Sequence, residues 1–253
     1  MNKTNEIWKN KVEECVNNYD YIVEPRGMEV REILNGGYTV PMVSYLDLED
    51  RKINKGFMFK EAAWIISGSN RLSDITPHMA KYADYSDDGV FLRGAYGPKI
   101  VDQLPYITET LASDKDSRQS VLTIWRERPG NSKDLPCTTQ MQFLIRDNTL
   151  NSITTMRSQD IVLGFTYDVF TFSMVAKSVQ LLLRQRGVSV GLGNLSVNAG
   201  SLHVYSTHYE KSQDWLSSNK RDLSIQEDIE TLGSVETYEE LMSQLNYLAK
   251  KNK

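Results

Sequence analysis

The chain has 253 residues, with 29 Lys and Arg against 33 Asp and Glu, a net charge of -4, 40% hydrophobic and 25% charged residues. That near-average balance fits a globular protein and argues against a disordered chain or a binder of nucleic acid, which would carry a basic stripe. Cys15 and Cys137 stand far apart without a CxxC or Cys/His cluster, and no apolar run approaches the ~18 residues of a membrane span. MNKTNEIWKN at the start lacks an apolar signal core, so the expectation is a reduced, cytoplasmic compartment with no membrane partner.

In chain order, Trp8, Val12, Cys15, Val16 and Tyr19 share one face at helical spacing, which predicts an opening helix over 6–19 with Cys15 in the core. Strands are expected between Val30 and Leu46, and Phe57–Ile66 reads as a short apolar helix in which Glu61 is the odd member. Residues 69–98 are polar and aromatic with little periodicity, as in a surface excursion that carries function. Strands follow at 120–125, 139–145 and 150–156, the last two joined by an Asp147-Asn148 turn. A long central helix is expected over Tyr167–Arg186, stopped by Gly187, then strands at 188–197 and 201–207. Ser224-x-x-Glu227 and Thr237-x-x-Glu240 read as capping boxes opening two last helices. The fold class is α+β, and with no repeat or composition shift the chain is read as one domain over 1–253, with 211–253 a helical C-terminal extension.

Generic motifs are missing: there is no GxxxxGK[ST], GxSxG or HExxH. Cys137 after Pro136 opens a predicted strand, where a thiol can face a cleft; taken alone, such a cysteine is more often structural. Arg157, Ser158 and Asp160 follow the hairpin, and an Arg fork matches phosphate oxygens, although a surface Arg is the plainer reading. Period two puts His203 and Tyr205 on one face of a strand. A non-catalytic α+β nucleotide-binding module stays open at this point.

Taken together, Pro136-Cys137-Thr138-Thr139-Gln140-Met141-Gln142-Phe143, Met156-Arg157-Ser158-Gln159-Asp160 with Leu163-Gly164, and Gly200-Ser201-Leu202-His203-Val204-Tyr205-Ser206 resemble the central blocks of the thymidylate synthase family, in order and spacing. Glu61-Ala62-Ala63-Trp64, Ala95-Tyr96-Gly97 and Asp116-Ser117-Arg118 resemble its earlier blocks, so that the likeness runs from about Arg26 to Glu210. Within the family the chain is most similar to the deoxycytidylate hydroxymethylases of large bacteriophages. Thr138 replaces the His that usually follows the nucleophile, and Asp168 stands where thymidylate synthases place an Asn.

An Asn amide donates to uracil O4 and accepts from N3–H, whereas cytosine offers an N4 amino donor and a bare N3. Asp168 therefore suits cytosine, with one proton shared between acid and ring. Its place near the start of the long helix is expected to favour the anion and push that proton to N3; the plainer role is a helix cap.

The resemblance implies a mixed sheet packed on the central helix, a sheet-mediated homodimer, and 5,10-methylenetetrahydrofolate as co-substrate with no metal. It implies Cys137 as nucleophile at pyrimidine C6, Glu61 ordering water and moving protons, and Tyr96 assisting proton removal. Arg26, Arg157 and Ser158 would hold the phosphate, with Arg118 reaching in from the partner, and His203 and Tyr205 the sugar hydroxyl. Asp160, Leu163, Gly164 and Tyr167 would line the folate site. Gln119 departs from the family's second Arg, Lys115 stands near the phosphate site, and Thr76 stands where methylating members stack a Trp on folate. The polar sequence Lys250-Lys251-Asn252-Lys253 contrasts with the apolar tail that closes methylating sites. An open, wetter site lets water capture the one-carbon intermediate. The implied activity is conversion of dCMP to 5-hydroxymethyl-dCMP; CMP hydroxymethylation, cytidylate methylation and thymidylate synthesis are the alternatives.

Overall fold

A computed structural model describes residues 3–127 and 130–253. Strands β1 (Tyr21–Val23), β2 (Val30–Pro41), β3 (Val121–Thr123), β4 (Thr138–Arg146), β5 (Thr149–Asp160) and β6 (Gly191–Tyr205) form one mixed sheet in the order β1-β2-β6-β5-β4-β3. Neighbours are antiparallel except β5 and β6, which run parallel and are joined by the 22-residue helix α5 (Gly164–Gln185), the crossover that parallel neighbours require. The parallel register sets Asp160 beside His203 and Ser158 beside Ser201, so the ends of both strands deliver side chains to one edge of the sheet.

The β4–β5 hairpin turns through Asp147 (φ 48°) and Asn148 (φ 58°), a left-handed pair that short Asx side chains tolerate and whose twist suits a two-residue turn. Helix α1 (Lys3–Asn17) buries Trp8, Val12, Cys15 and Val16, and the Trp8 indole donates to Ile161 O at 2.7 Å, tying the helix to the end of β5. Helix α2 (Lys55–Ile66) is capped by Asn54, whose side chain accepts from Phe57 N at 2.9 Å. A short helix α3 (Leu72–Ile75) follows; Thr76, at its end, donates back to Leu72 O at 3.1 Å. Helix α5 runs through the core with Phe165, Phe170, Phe172 and Met174 fully buried, so the α+β expectation of a mixed sheet and long central helix holds.

Several elements differ from the sequence reading. Helix α4 (Gly97–Ser113) was not among the expected elements; Pro98 occupies its first turn, where its missing N–H leaves nothing unpaired. Its buried face is Ile100, Leu104, Ile107 and Leu111. The two strands expected at 188–207 are one, β6: Gly200 marks no break but a close approach, since a Cβ there would lie 3.0 Å from Arg157 O. Helix α6 (Tyr209–Ser217) was also missed. The Ser224 capping box does not form, for helix α7 (Gln226–Ser234) begins after Ile225, and Ser224 N–H donates instead to Asp222 Oδ1 at 3.0 Å. The Thr237/Glu240 box is present at the start of α8 (Tyr238–Lys251), which packs along α2. Among the described residues no helix is long and apolar enough to cross a membrane.

Candidate active site

Cys137 immediately precedes β4, where a register shift between Thr138 and Gln140 breaks the ladder with β5, an irregularity typical of strand ends that aim a side chain. Its carbonyl accepts from Arg157 N at 2.8 Å, and the half-buried thiol faces the Ser158 hydroxyl, with Oγ 3.8 Å from Sγ. The Arg157 side chain fastens this segment from the next strand, giving Nε to Pro136 O (3.0 Å), Nη2 to Leu135 O (3.2 Å) and Nη1 to Ser158 Oγ (3.1 Å). Three of the five N–H groups of a guanidinium are thus engaged, and the exposed remainder is available to an anion.

Tyr96, at the start of α4, accepts from Thr138 N at 3.2 Å; burial, then the nearby Cys137 and Asp168, push its phenol far above the usual range, so it is a neutral hydroxyl. Glu61 enters from α2 and receives a hydrogen bond from the Tyr82 hydroxyl. Burial raises its carboxyl to about 7, opposed by the Tyr82 hydrogen bond and reinforced by Asp168. Tyr82 lies in the 3-10 segment Ala80–Tyr85, held between Phe57 and Trp64.

Asp168 lies on α5, and its Oδ2 accepts from Gln159 Nε2 at 2.8 Å; Gln159 Oε1 in turn accepts from Tyr38 Oη at 2.9 Å. Burial lifts the Asp168 carboxyl to about 7, against the lowering effect of Gln159 and with the help of Asp160. This corrects the expectation of an anion favoured by the helix start. The helix begins at Gly164 behind an uncapped Leu163, so Asp168 sits beyond the first turn, where the dipole has faded and desolvation wins. For the same reason Asp168 is no helix cap.

Toward the edge of the sheet, His203 packs edge-on against Tyr205, ring centroids 5.2 Å apart, and burial lowers the His203 pKa, holding the imidazole toward its neutral form. Burial and Asp160 raise the Tyr205 phenol while a hydrogen bond from exposed Arg26 opposes them. Arg118 stands elsewhere: β3 starts opposite Gln142, so Arg118 lies at the end of the sheet away from Cys137, with its backbone carbonyl taken by Gln142 Nε2 at 2.9 Å.

The residues expected at the folate site gather where β5 turns into α5. Asp160 Oδ1 accepts from Val162 N (2.7 Å) and Leu163 N (3.0 Å), while its buried Oδ2 has no partner among the described residues. A buried acceptor beside Leu163, which is 44% exposed, fits a heterocycle that brings an N–H donor and an apolar face. Tyr167 accepts from Asn54 N at 3.3 Å and meets Phe57 edge-on at 4.9 Å. Among the described residues no group of three or more His, Cys, Asp and Glu is placed to hold a metal ion.

The thymidylate synthase family model matches residues 47–247, a span that contains Glu61, Tyr96, Cys137, Asp168 and His203. The chain belongs to the thymidylate synthase family. Members of this family are one-carbon transferases that take nucleoside monophosphates and methylenetetrahydrofolate. A deoxyuridylate hydroxymethyltransferase of Bacillus phage SP01 is 28% identical over 210 residues, 74% of this chain and 54% of that protein. Another of Pseudomonas phage M6 is 30% identical over 178 residues, 66% of this chain and 49% of its own. A deoxycytidylate 5-hydroxymethyltransferase of Enterobacteria phage T4 is 25% identical over 220 residues, 81% and 87% of the two chains. The chain spans about half the length of the SP01 and M6 relatives.

For a thymidylate synthase family member, the structure brings together Cys137, Ser158, Arg157, Tyr96, Asp168 and Glu61, and sets Arg26, His203 and Tyr205 beside them; Arg118 is not brought in. Sequence reasoning missed Tyr82, Gln159 and Tyr38. Tyr82 had one signal, its place in the aperiodic 69–98 stretch; Gln159 had its position between Ser158 and Asp160, and Tyr38 had none.

Proposed function

We propose that the protein converts dCMP to 5-hydroxymethyl-dCMP with 5,10-methylenetetrahydrofolate, through a covalent bond between Cys137 and C6 of the pyrimidine. The observation that carries this reading is the convergence of one thiol, one neutral phenol and two carboxyl groups raised to about 7 in a member of this family. Perturbed acids gathered around a nucleophile are the means by which a protein moves protons near neutral pH.

Addition of the Cys137 thiolate to C6 makes C5 electron-rich. The folate, when bound, would supply to C5 a carbon at the oxidation level of formaldehyde and depart as tetrahydrofolate. Tyr96 assists removal of the C5 proton. Glu61, close to half-protonated at pH 7, orders the water that adds to the exocyclic methylene carbon and exchanges protons with it, after which departure of Cys137 restores the ring. Asp168, as a neutral acid, donates to N3 and accepts from the N4 amino group, so that the ring itself need not be protonated. Arg26, Arg157 and Ser158 hold the phosphate together with Arg118 from a partner protomer in a homodimer. His203 and Tyr205 hold the sugar hydroxyl, and Asp160, Leu163, Gly164 and Tyr167 the folate. Ser158 favours the deoxynucleotide over CMP, and Lys115 pulls weakly the other way.

A second reading, dUMP as substrate, is favoured by one observation: a neutral Asp168 with its proton on the other oxygen matches uracil, and two of the relatives are named for deoxyuridylate. The test is release of tritium from C5-labelled dCMP in the presence of methylenetetrahydrofolate. It should proceed in the native protein and be abolished in Cys137→Ala; release from C5-labelled dUMP alone would overturn the cytosine reading.

A further inference from the structure

We propose that Tyr38 and Gln159 form a positioning relay that keeps Asp168 Oδ2 an acceptor and thereby decides whether the carboxyl group reads a cytosine or a uracil edge. The inference rests on the hydroxymethyltransferase reading above and names the residues that set its base preference.

Both members of the relay are buried, Tyr38 7% and Gln159 2% exposed, so both ends of the Gln159 amide must find partners inside the protein. The Tyr38 phenol is pushed well above the usual range by burial and by Asp168, so it stays a donor. Its single proton goes to Gln159 Oε1 at 2.9 Å, which leaves the amide nitrogen to face Asp168 Oδ2 at 2.8 Å. An oxygen that receives this N–H is the carbonyl oxygen of the acid, and the proton of the neutral carboxyl group belongs on Oδ1. Gly164 allows the approach: a Cβ at that position would stand 3.1 Å from Asp168 Oδ2 and 3.5 Å from Gln159 Cγ.

A free carboxylic acid carries its proton on either oxygen and can satisfy cytosine or uracil alike. With Oδ2 fixed as acceptor, Asp168 presents one donor and one acceptor in a set order. Cytosine and uracil show opposite orders at N3 and C4, and a ring anchored at C6 by Cys137 and at its phosphate is not free to invert. Other groups that act on Asp168 or are acted on by it are Glu61 from α2, Tyr82, Tyr96 from the start of α4, and Asp160 from β5. None of these is a cation that would impose the ionised form instead.

The experiment measures equilibrium dissociation constants of dCMP and dUMP, across pH, for the wild-type protein, Gln159→Met and Tyr38→Phe. Wild type should prefer dCMP by roughly tenfold or more, since the wrong edge leaves a buried donor and acceptor unmatched. Gln159→Met should lose most of that preference, mainly by gaining dUMP, and the alkaline limb of nucleotide binding, where Asp168 gives up its proton, should move to higher pH because Oδ2 has lost the N–H that lowered its pKa. Tyr38→Phe, which keeps the ring in place, should shift in the same direction by less. The relay is overturned if both variants bind with the wild-type dCMP-to-dUMP ratio, if both nucleotides weaken equally, or if wild type does not discriminate or binds neither. Because these constants need no turnover, a wild type that prefers dCMP but forms no hydroxymethyl product would defeat the functional reading and leave the relay standing.

Discussion

Asp168→Asn exchanges a buried acid for a neutral group of the same shape that still accepts from Gln159. The folded protein holds the Asp168 proton up to about pH 7, while the unfolded chain releases it near the ordinary aspartate value of 3.8. Between those values the native state binds more protons than the unfolded state, so wild-type stability falls as pH rises through the window and levels off above it. The window spans about three pH units at ~1.4 kcal/mol each, an upper bound of about 4 kcal/mol. Water reaching a half-buried carboxyl group through the cleft brings the expected figure to roughly 2–4 kcal/mol. The variant should therefore match wild type near pH 4 and exceed its stability by that amount near pH 8. Glu61 has the same sign and is present in both proteins, so it cancels to first order. Urea unfolding midpoints across this range read the difference. A gap independent of pH, or one that shrinks as pH rises, would refute the argument that burial holds Asp168 neutral.

Glu61→Gln should lower kcat by roughly 10²–10⁴-fold while nucleotide affinity holds within about threefold, measured by steady-state kinetics and equilibrium binding. Arg118→Ala and Cys137→Ala should each be inactive alone. Mixed after dissociation and reassociation, they should recover about a quarter of wild-type activity, because half the dimers then carry one complete site; failure to recover would place Arg118 outside the partner's site. Thr237→Ala removes the side-chain half of a formed capping box, the acceptor for Glu240 N–H, while its backbone N–H still donates to Glu240, and should cost ~1 kcal/mol in thermal unfolding. Ser224→Ala, at a box that does not form, should change stability by less than about 0.5 kcal/mol.

Periodicity was enough for α1, α2 and α5, and Asp147-Asn148 was enough for the hairpin, because each of these is decided by neighbours in the chain. Two elements escaped the local reading: helix α4, which Pro98 opens, and the unbroken strand β6, where Gly200 admits a neighbouring strand's backbone. At the site, Cys137, Arg157, Ser158, His203 and Tyr205 stood out through strand ends and spacing. The residues that tune it did not, since Tyr82 meets Glu61 across 21 positions and Tyr38 meets Gln159 across 121. The protonation state of Asp168 was misread for the same reason: a helix start is visible in sequence, whereas the desolvation that outweighs it is made by α2, α4 and β5 closing around the group.

The central claim is hydroxymethyl transfer to cytosine, and mass spectrometry of the nucleotide after incubation with methylenetetrahydrofolate and, separately, dCMP, CMP and dUMP tests it most directly. The account predicts that dCMP gains a formaldehyde unit without release of dihydrofolate. A product carrying only a methyl group, formed with dihydrofolate, or turnover confined to dUMP, would contradict it.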